Sequence, residues 1–388
     1  MKYSGSALHS KLPEHGVTIF THMTQLAQEY AAINLAQGFP NFTCDSELTL
    51  MAYQAMQQGH NQYAPMMGVL SLREQIAGQI RRLYGANYDP ITEVTVTSGA
   101  TEALFNAIAC VVHDGDEVIV LEPSYDSYVP AIMLAGGIPK FVPLDPETFA
   151  INWSDVRKSI SQKTKAIILN SPHNPTGKII QKHDIQELIK IIEHTNIIII
   201  SDEVYEFMVF DGATHQSVCR YPELASRSFI ISSFGKNLHV TGWKIGYCVA
   251  PEQLTTEFRK IHQFNTFATS TPLQVAIAEY LSKNADYPQG VQELYQQKRD
   301  FFKELLSNTI LKALPCEGTY FMLASFNSKV FSGKSDVEFV ENLTKKQGVA
   351  AIPLSVFYHD RTDPKLIRLC FAKTDELLIQ AAERLQSL

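Results

Sequence analysis

The chain has 388 residues, of which 45% are hydrophobic and 19% are charged, and this is the composition of a folded globular protein. Its net charge of −7 includes no long run of either sign, which argues against the concentrated basic face that nucleic-acid binders need but leaves room for a small basic pocket that binds an anion. At roughly 150 residues per domain, this length predicts two to three domains.

The cysteines and histidines show no metal or disulfide pattern. The six cysteines are scattered without a close pair, which predicts reduced thiols in a cytoplasmic protein. The twelve histidines have no tight ligand spacing, so we expect no metal site. Residues 1–5 lead into mixed polar sequence, and no apolar run approaches the ~20 residues that cross a bilayer. We therefore expect a soluble cytoplasmic protein that binds neither membrane nor nucleic acid.

Short runs rich in valine and isoleucine alternate with segments of helical period. The runs lie at residues 93–97, 117–121, 165–169, 196–200 and 228–231. Most lack a clean alternation, which is typical of strands buried on both faces of a parallel sheet. Residues 101–112 and 182–192 place apolar side chains along one helical stripe. The order predicts an α/β fold with its ligand site at the carboxyl ends of the strands.

The pattern changes after about residue 270. Residues 272–306 predict a long helical region, and residues 319–323 and 365–372 predict strands around a further helix. The first 45 residues show no sheet pattern, and we expect them to pack against this part. The sequence therefore predicts a large domain at 46–271 and a smaller α+β domain built from 1–45 and 272–388.

The first predicted strand is followed by Ser-Gly-Ala-Thr at residues 98–101, where a helix begins. Free N–H groups at a helix start, reached through a glycine, form a site for an anion. The same residues also suit a plain strand-to-helix turn capped by threonine, and the motif alone favours that simpler interpretation.

Other strand ends carry an acid, an amide and an aromatic ring. Asp202 follows a buried strand, where a carboxylate is costly without a cation or hydrogen-bond donors, although it also suits a helix cap. Asn174 stands among prolines and is equally a turn former. Tyr125 suits either core packing or an aromatic plate for a planar ligand.

The fifth strand is followed by two lysines. Lys236 comes after a turn that contains Ser233, and a lysine held there out of water suits a Schiff-base nucleophile. Lys244 stands between glycines and suits a phosphate. Most lysines are solvated surface charges, but the combination with serine and glycine makes that interpretation the weaker one here.

Together the strand ends offer an anion site, a carboxylate, a buried lysine, a phenol, an amide and an aromatic face. A planar phosphorylated aldehyde with a protonatable ring nitrogen would use all of them. This description fits pyridoxal phosphate.

With these motifs the chain resembles the fold-type I pyridoxal-phosphate aminotransferases of class I and II over nearly its whole length. The most specific element is Ser-Phe-Gly-Lys at 233–236 followed by Gly-Trp-Lys-Ile-Gly at 242–246. The spacing of Asn174 to Asp202 and the Asp202-x-x-Tyr205 pair agree with it. The resemblance implies a large domain with a mostly parallel seven-stranded sheet and a smaller α+β domain.

The chain is most similar to the methionine aminotransferases and their kynurenine aminotransferase relatives. Residues 61–65 and 241–244 carry this closer likeness. Many family members have arginine at the position of Lys244, and arginine grips a phosphate in a bidentate way that lysine does not copy. The closer subgroup accepts lysine there.

The resemblance implies a role for each ring-binding residue. Lys236 is expected to bind the cofactor covalently and to act in catalysis together with Asp202 and Tyr205. Asp202 would keep the ring nitrogen protonated, which makes the ring an electron sink. Tyr205 and Asn174 would donate hydrogen bonds to the phenolate oxygen of the ring, and Tyr125 would stack on the ring face.

The resemblance also implies contacts to the phosphate and the substrate. The phosphate is expected to bind Gly99, Ala100, Thr101, Ser233, Lys244 and, from the neighbouring subunit, Tyr63. Shared sites of this kind imply a homodimer. Arg368 alone would suit an exposed edge strand, whereas the family match assigns it to the α-carboxylate, next to Asn174 and the backbone of Gly38.

The reaction implied is a ping-pong transfer of the α-amino group from an L-amino acid to a 2-keto acid. Residues 262–267 offer aromatic rings where a dicarboxylate-specific enzyme needs a second cation. A pocket with Phe39, Phe264 and Phe267 would favour methionine, and also phenylalanine, tyrosine or kynurenine-like substrates, although these rings also suit core packing.

Other functions remain as alternatives. A carbon–sulfur β-lyase would use the same residues, and only its products would distinguish it. A cofactor-sensing regulator would need an amino-terminal DNA-binding domain, which the ~45 residues before the large domain do not resemble. No Gly-x-Gly-x-x-Gly follows a predicted strand, which argues against a nicotinamide dehydrogenase.

Overall fold

The structure is a computed structural model of the chain, and it describes residues 9–13, 16–326 and 333–386. The amino-terminal residues 1–5, from which we expect no leader segment, lie outside the described residues, as do parts of both segments of the predicted small domain.

The strands and helices follow one another along the whole described chain. The strands are β1 Ile33–Asn34, β2 Val94–Thr97, β3 Glu117–Glu122, β4 Ile138–Pro143, β5 Thr164–Asn170, β6 Ile198–Asp202, β7 Ser228–Ser233, β8 Gly246–Val249, β9 Lys312–Ala313, β10 Phe321–Ser325, β11 Val349–Ala350, β12 Ile352–Pro353 and β13 Leu366–Cys370. The helices are α1 Ile19–Glu29, α2 Ser46–Gln57, α3 Leu70–Tyr84, α4 Gly99–Val111, α5 Tyr128–Leu134, α6 Trp153–Ser159, α7 Lys182–Ile192, α8 Pro222–Ala225, α9 Phe234–Asn237, α10 Glu252–Asn265, α11 Thr271–Lys283, α12 Tyr287–Leu306, α13 Asp336–Asn342 and α14 Asp375–Gln386.

A seven-stranded sheet forms the centre of the larger part, in the order β2-β8-β7-β6-β5-β3-β4. The pairs β3/β4, β3/β5, β5/β6 and β6/β7 are parallel, and β8 runs antiparallel to both of its neighbours. This is the mostly parallel sheet that the resemblance implies. The central strands β6 and β7 are almost wholly buried, because helices such as α4 and α7 cover the sheet.

Two strands of this sheet have no clear signal in the sequence. The strand β4 lies at the edge, contains Pro139 and Pro143, and is only partly buried, which suits proline at a sheet edge. The strand β8 begins at Gly246, the last residue of the 242–246 motif in which Lys244 is predicted to bind a phosphate. Neither segment carries the long valine-rich or isoleucine-rich run that indicates the other strands.

The second part contains an antiparallel sheet in the order β12-β13-β10-β9 and a parallel pair of β1 with β11. The first 45 residues, which show no sheet pattern in the sequence, therefore contain one short strand. Ile33 and Asn34 pair with Val349 and Ala350, and two residues are too short to produce a periodic pattern.

The helical region predicted at 272–306 consists of two helices, α11 and α12. Pro288 lies in the first turn of α12, a position where proline is favoured. The division into 46–271 and the terminal segments stays a prediction.

The parallel strands bring their last residues to one edge of the large sheet. Asn170 ends β5, Asp202 ends β6 and Ser233 ends β7. Helix α4 begins at Gly99, directly after β2 and Ser98. This edge is where ligands bind in α/β sheets.

Within the described ranges, no helix is long and apolar enough to cross a membrane. The same residues contain no cluster of three or more histidine, cysteine or acidic side chains that could hold a metal ion. All six cysteines lie among the described residues, and none of them forms a disulfide.

Candidate active site

A cavity of about 390 Å³ opens at the carboxyl edge of the large sheet. It brings together the residues that the sequence predicts for one site, with the exception of Tyr63, Phe264 and Phe267. Those that line it are Gly38, Gly99, Ala100, Thr101, Tyr125, Asn174, Asp202, Tyr205, Ser233, Lys236, Lys244 and Arg368. Phe20, Phe39 and Phe321 add aromatic walls.

Lys236 lies in the short helix α9, directly after β7. Its Nζ donates to the carbonyl oxygen of Gly38 over 3.3 Å and faces the rings of Tyr205 and Tyr320, whose centroids are 5.9 and 5.6 Å away. Removal from bulk water lowers the pKa of Lys236 to about 8. A neutral, nucleophilic amine is therefore accessible near physiological pH.

Asp202 is buried at the end of β6. Its Oδ2 accepts a hydrogen bond from the hydroxyl of Tyr128 over 2.7 Å, and its Oδ1 accepts one from the backbone N–H of Val204 over 3.3 Å. Burial raises the pKa of Asp202 to about 6, against the lowering effect of these donors. A positive charge placed next to this carboxylate would restore its ordinary ionisation.

Asn170 orients two of the predicted residues, although the sequence analysis does not single it out. Its Oδ1 accepts from the backbone N–H of Asn174 over 2.8 Å, and its Nδ2 donates to the carbonyl oxygen of Asp202 over 2.9 Å. The sequence could have indicated Asn170 as a site residue, because it is the polar last residue of a buried strand, as Asp202 is. Tyr128 gave less signal, since a tyrosine at a helix start suits ordinary packing.

The start of α4 forms a concave backbone surface at one end of the cavity. The N-cap residue Ser98 makes no side-chain capping bond, and Glu102 accepts from the backbone N–H of Ser98 itself, so the N–H groups of Gly99, Ala100 and Thr101 are available to an anion. Gly99 has a φ of +75°, and an added Cβ would lie 3.1 Å from the Nζ of Lys244. A Cβ at Gly246 would meet the backbone N of Ala100 at 2.7 Å. The glycines therefore allow a lysine and a helix N-terminus to converge, as an anion site requires.

Arg368 lies on β13, between β12 and β10, and is 1% exposed. The interpretation as an exposed edge-strand residue is therefore wrong. Its Nη1 donates to Asn174 Oδ1 over 2.7 Å and its Nη2 donates to the carbonyl oxygen of Ala36 over 3.0 Å. Its buried Nε finds no acceptor among the described residues. Burial lowers its pKa, yet a guanidinium stays charged.

Aromatic rings enclose the guanidinium of Arg368. Its central carbon lies 3.8 Å from the ring centroid of Phe321 and 5.3 and 5.2 Å from those of Phe20 and Phe357. Rings at these distances exclude water and strengthen any charge-assisted hydrogen bond made there. Gly38 leaves the space that Phe321 occupies, because a Cβ would approach its ring to 2.6 Å.

Tyr63 and two of the predicted pocket phenylalanines do not line this cavity. Tyr63 is 84% exposed, and its ring contacts Phe267 edge to face with centroids 5.4 Å apart. Phe264 is 90% exposed. Within one chain, only Phe39 of the three predicted phenylalanines reaches the cavity that contains Lys236.

Residues 31–385 match the family model of the class I and II aminotransferases. The chain belongs to this family and is a pyridoxal-phosphate-dependent aminotransferase that acts on amino acids and 2-keto acids. The resemblance from the sequence motifs is thereby confirmed.

Within that family the chain is similar to methionine and kynurenine aminotransferases. The chain is 49% identical to the methionine aminotransferase of Escherichia coli strain K12, with 98% of each chain covered. It is 34% identical to the kynurenine–oxoglutarate transaminase of Dictyostelium discoideum, covering 96% of this chain and 94% of that one. Among solved structures it matches YbdL from Escherichia coli, described as having a methionine aminotransferase function. The TM-score is 0.96 and the identity is 48%, and 99% of this chain and 100% of that one are covered.

Proposed function

We propose that the protein transfers the α-amino group of an apolar or aromatic L-amino acid, with methionine favoured, to a 2-keto acid. The observation that carries the proposal is a lysine of lowered pKa, Lys236, in one cavity with the guanidinium of Arg368. The aromatic walls Phe20, Phe39 and Phe321 support an apolar side-chain pocket. The relatives named for methionine and kynurenine support the same substrate class.

The cavity residues fit pyridoxal phosphate. Asp202 is a buried carboxylate that a protonated ring nitrogen would neutralise, and Tyr128 holds the carboxylate in place through its hydroxyl. The N-terminus of α4, with Ser233 and Lys244, suits the phosphate dianion. Tyr205 and Asn174 would bind the phenolate oxygen of the ring, and Tyr125 would cover one ring face.

Lys236 would move the proton in the reaction. When bound, pyridoxal phosphate supplies an aldehyde that condenses with the substrate amine and a protonated ring that withdraws electrons from the substrate α-carbon. The freed Nζ of Lys236 would take the proton from that carbon and later return one. Because the pKa of Lys236 is lowered to about 8, a useful share of this amine is neutral near neutral pH.

Arg368 would bind the α-carboxylate of every substrate. Its guanidinium makes two hydrogen bonds to neutral oxygens, and its buried Nε has no acceptor among the described residues, so a substrate carboxylate would supply the anionic partner. The surrounding rings keep water away from this contact. Because all substrates would bind Arg368 through the same carboxylate, this contact would orient them, while Phe20 and Phe39 would select among substrate side chains.

Replacing Arg368 by lysine should raise KM roughly tenfold or more for every amino acid tested, because a lysine is a point charge without the bidentate geometry of a guanidinium. The measurement compares kcat and KM for methionine, phenylalanine and aspartate in both proteins. Arg299→Lys is the matched control, since Arg299 is a buried arginine that binds Asp211 away from the cavity. A rise limited to one substrate would mean that the carboxylate binds elsewhere.

We further propose that two copies of the chain form a dimer with shared sites. Tyr63 and Phe267 are in ring contact, and both they and Phe264 are exposed, so a single chain leaves aromatic surface uncovered here. Covering such a surface favours association. In the dimer Tyr63 would reach the phosphate in the partner's site, and the two phenylalanines would complete its side-chain pocket. The unpaired cysteines support a cytoplasmic setting for this enzyme.

Mixing two inactive variants tests the shared site. A Tyr63→Ala chain retains Lys236, and a Lys236→Ala chain retains Tyr63. After the two are unfolded and refolded together, hybrid dimers should contain one complete site, so the mixture should regain up to about a quarter of wild-type activity. If Tyr63 served its own chain's site, the mixture would be no more active than its separately refolded components.

A further inference from the structure

The turn that follows β6 alternates between residues that line the cavity and acidic residues that lie outside it. Asp202 and Tyr205 line the cavity, whereas Glu203 and Glu206 do not. Both glutamates are buried. The reaction described above uses neither of them, so two buried carboxylates directly beside the site need another explanation.

Glu206 is bound by three hydroxyl groups. Its Oε1 accepts from Ser232 Oγ over 2.6 Å and from the hydroxyl of Tyr247 over 3.0 Å, and its Oε2 accepts from the hydroxyl of Tyr84. Burial raises the pKa of Glu206, and the hydroxyl donors of Ser232 and Tyr84 act against that rise. The carboxylate is therefore the centre of a connected, buried hydrogen-bond network.

The donors come from the chain segments that carry the other site residues. Ser232 lies on β7 directly before Ser233 and the turn to Lys236. Tyr247 lies on β8, three residues after Lys244, and faces Ser232 in the antiparallel pair of the two strands. The carboxylate of Glu206 thus connects the Asp202–Tyr205 turn to two strands. One is β7, which precedes Lys236, and the other is β8, which follows Lys244.

Glu203 anchors the opposite side of the same turn. Its Oε1 accepts from Ser201 Oγ over 2.8 Å and from the backbone N–H of Val218 over 3.1 Å, and its Oε2 lies 2.8 Å from His215 Nε2. His215 and Val218 lie in a segment that contributes no residue to the cavity. Of the two glutamates, only Glu206 connects the turn to segments that carry cavity lysines.

We propose that Glu206 is a positioning residue for amino-group transfer, which through Ser232 and Tyr247 fixes Tyr205 and Asp202 relative to Lys236. This inference rests on the proposed roles of those three residues. Loosening the network would move the Tyr205 hydroxyl away from the ring oxygen of the cofactor. A residue that only stabilises the fold would leave that geometry unchanged.

Two mild variants test the proposal in the holoenzyme. Ser232→Ala and Tyr247→Phe each remove one hydroxyl donor from Glu206 and keep the side-chain size. Because donors to the ring oxygen stabilise the deprotonated form of the bound cofactor, we expect both variants to raise the pH midpoint of its visible absorbance change by about half a unit or more. Turnover should fall roughly tenfold with little change in KM for the amino acid.

A matched serine elsewhere separates positioning from stability. Ser355 Oγ donates to the buried carboxylate of Asp336 over 2.7 Å, outside the cavity. We expect Ser355→Ala to lower the melting temperature of the apoprotein about as much as Ser232→Ala does, and to leave the pH midpoint unchanged. Glu206→Gln should shift the midpoint upward as well, and adding Ser232→Ala to it should change little further, since the acceptor is already altered.

The outcomes are distinct. Unchanged midpoints in Ser232→Ala and Tyr247→Phe, with melting temperatures lowered as in Ser355→Ala, would overturn the proposal and leave Glu206 a purely structural residue. Loss of the visible band in Lys236→Ala together with those unchanged midpoints would leave the proposed function intact. Survival of the band in Lys236→Ala would overturn the proposed function and this inference with it.

Discussion

Replacing Lys236 by alanine is expected to abolish the visible absorbance band of the bound cofactor and to stop amino-group transfer. Lys236 lines the cavity, and among the described residues its Nζ donates a hydrogen bond to the carbonyl oxygen of Gly38. Its removal takes away both the covalent anchor and the base. The lost proton transfer alone should lower kcat roughly a hundredfold to ten-thousandfold. Absorbance spectra of the purified variant, with steady-state rates, provide the measurement.

Lys373→Ala is the matched control for this experiment. Lys373 is also a buried lysine, and its Nζ donates to the carbonyl oxygen of Phe39, the residue after Gly38. It does not line the cavity, so its alanine variant should keep the visible band. A Lys236→Ala protein that kept the band, or a Lys373→Ala protein that lost it, would contradict the assignment of Lys236.

The second large effect is expected at Asp202. Its replacement by asparagine should leave the cofactor bound, since Lys236 and the phosphate site are intact, and should lower kcat roughly a hundredfold to thousandfold. The reason is that a neutral amide does not keep the ring nitrogen protonated, so the ring withdraws fewer electrons. Cofactor content and kcat are measured on the same sample. Near-normal turnover with full cofactor content would contradict the role of Asp202.

Asp336→Asn controls for the loss of a buried carboxylate. Asp336 is fully buried, and burial raises its pKa as it does for Asp202, yet it binds Ser355 outside the cavity. Its asparagine variant should retain cofactor and most of the turnover of the wild type. A comparable loss of turnover in both variants would assign the effect to stability.

The raised pKa of Asp202 also predicts how the apoprotein responds to pH. The folded carboxyl titrates at about 6 instead of the ordinary 3.8, so the folded state holds this proton more tightly than the unfolded state does. Its contribution therefore lowers the free energy of unfolding as pH rises from about 4 to above 6. The wild type should lose stability relative to Asp202→Asn over that window, as measured by urea unfolding of both apoproteins.

Strand burial explains why most of the large sheet was predictable. The runs at 165–169, 196–200 and 228–231 correspond to β5, β6 and β7, and helix α7 has the predicted bounds. These strands are buried on both faces and therefore consist largely of apolar residues. The edge strand β4 lacks such a pattern because it is only partly buried and contains two prolines, and the strand β1 lacks one because it has only two residues.

The site was predictable where a polar residue ends an apolar strand. Asp202 ends β6 and Lys236 follows the end of β7 by three residues, and both line the cavity. Arg368 was ambiguous from local sequence, since only the pairing of β13 with strands on both sides makes it a buried residue. Local sequence does not report such long-range pairing.

The residues that support the site gave little signal. Tyr128 and Tyr320 contact Asp202 and Gly38 through single hydrogen bonds between residues that are distant in sequence. A tyrosine in these contexts is as well suited to ordinary packing. Glu206 is similar, because its three donors lie 26 to 122 residues away in sequence.

The most direct test of the account is a half-reaction with purified holoenzyme and L-methionine in the absence of any keto acid. We expect the visible band to bleach with one equivalent of the methionine-derived 2-keto acid formed for each bound cofactor. An unchanged spectrum with methionine but bleaching with aspartate would contradict the apolar pocket. Release of a thiol and ammonia in place of the methionine-derived keto acid would contradict amino-group transfer from methionine.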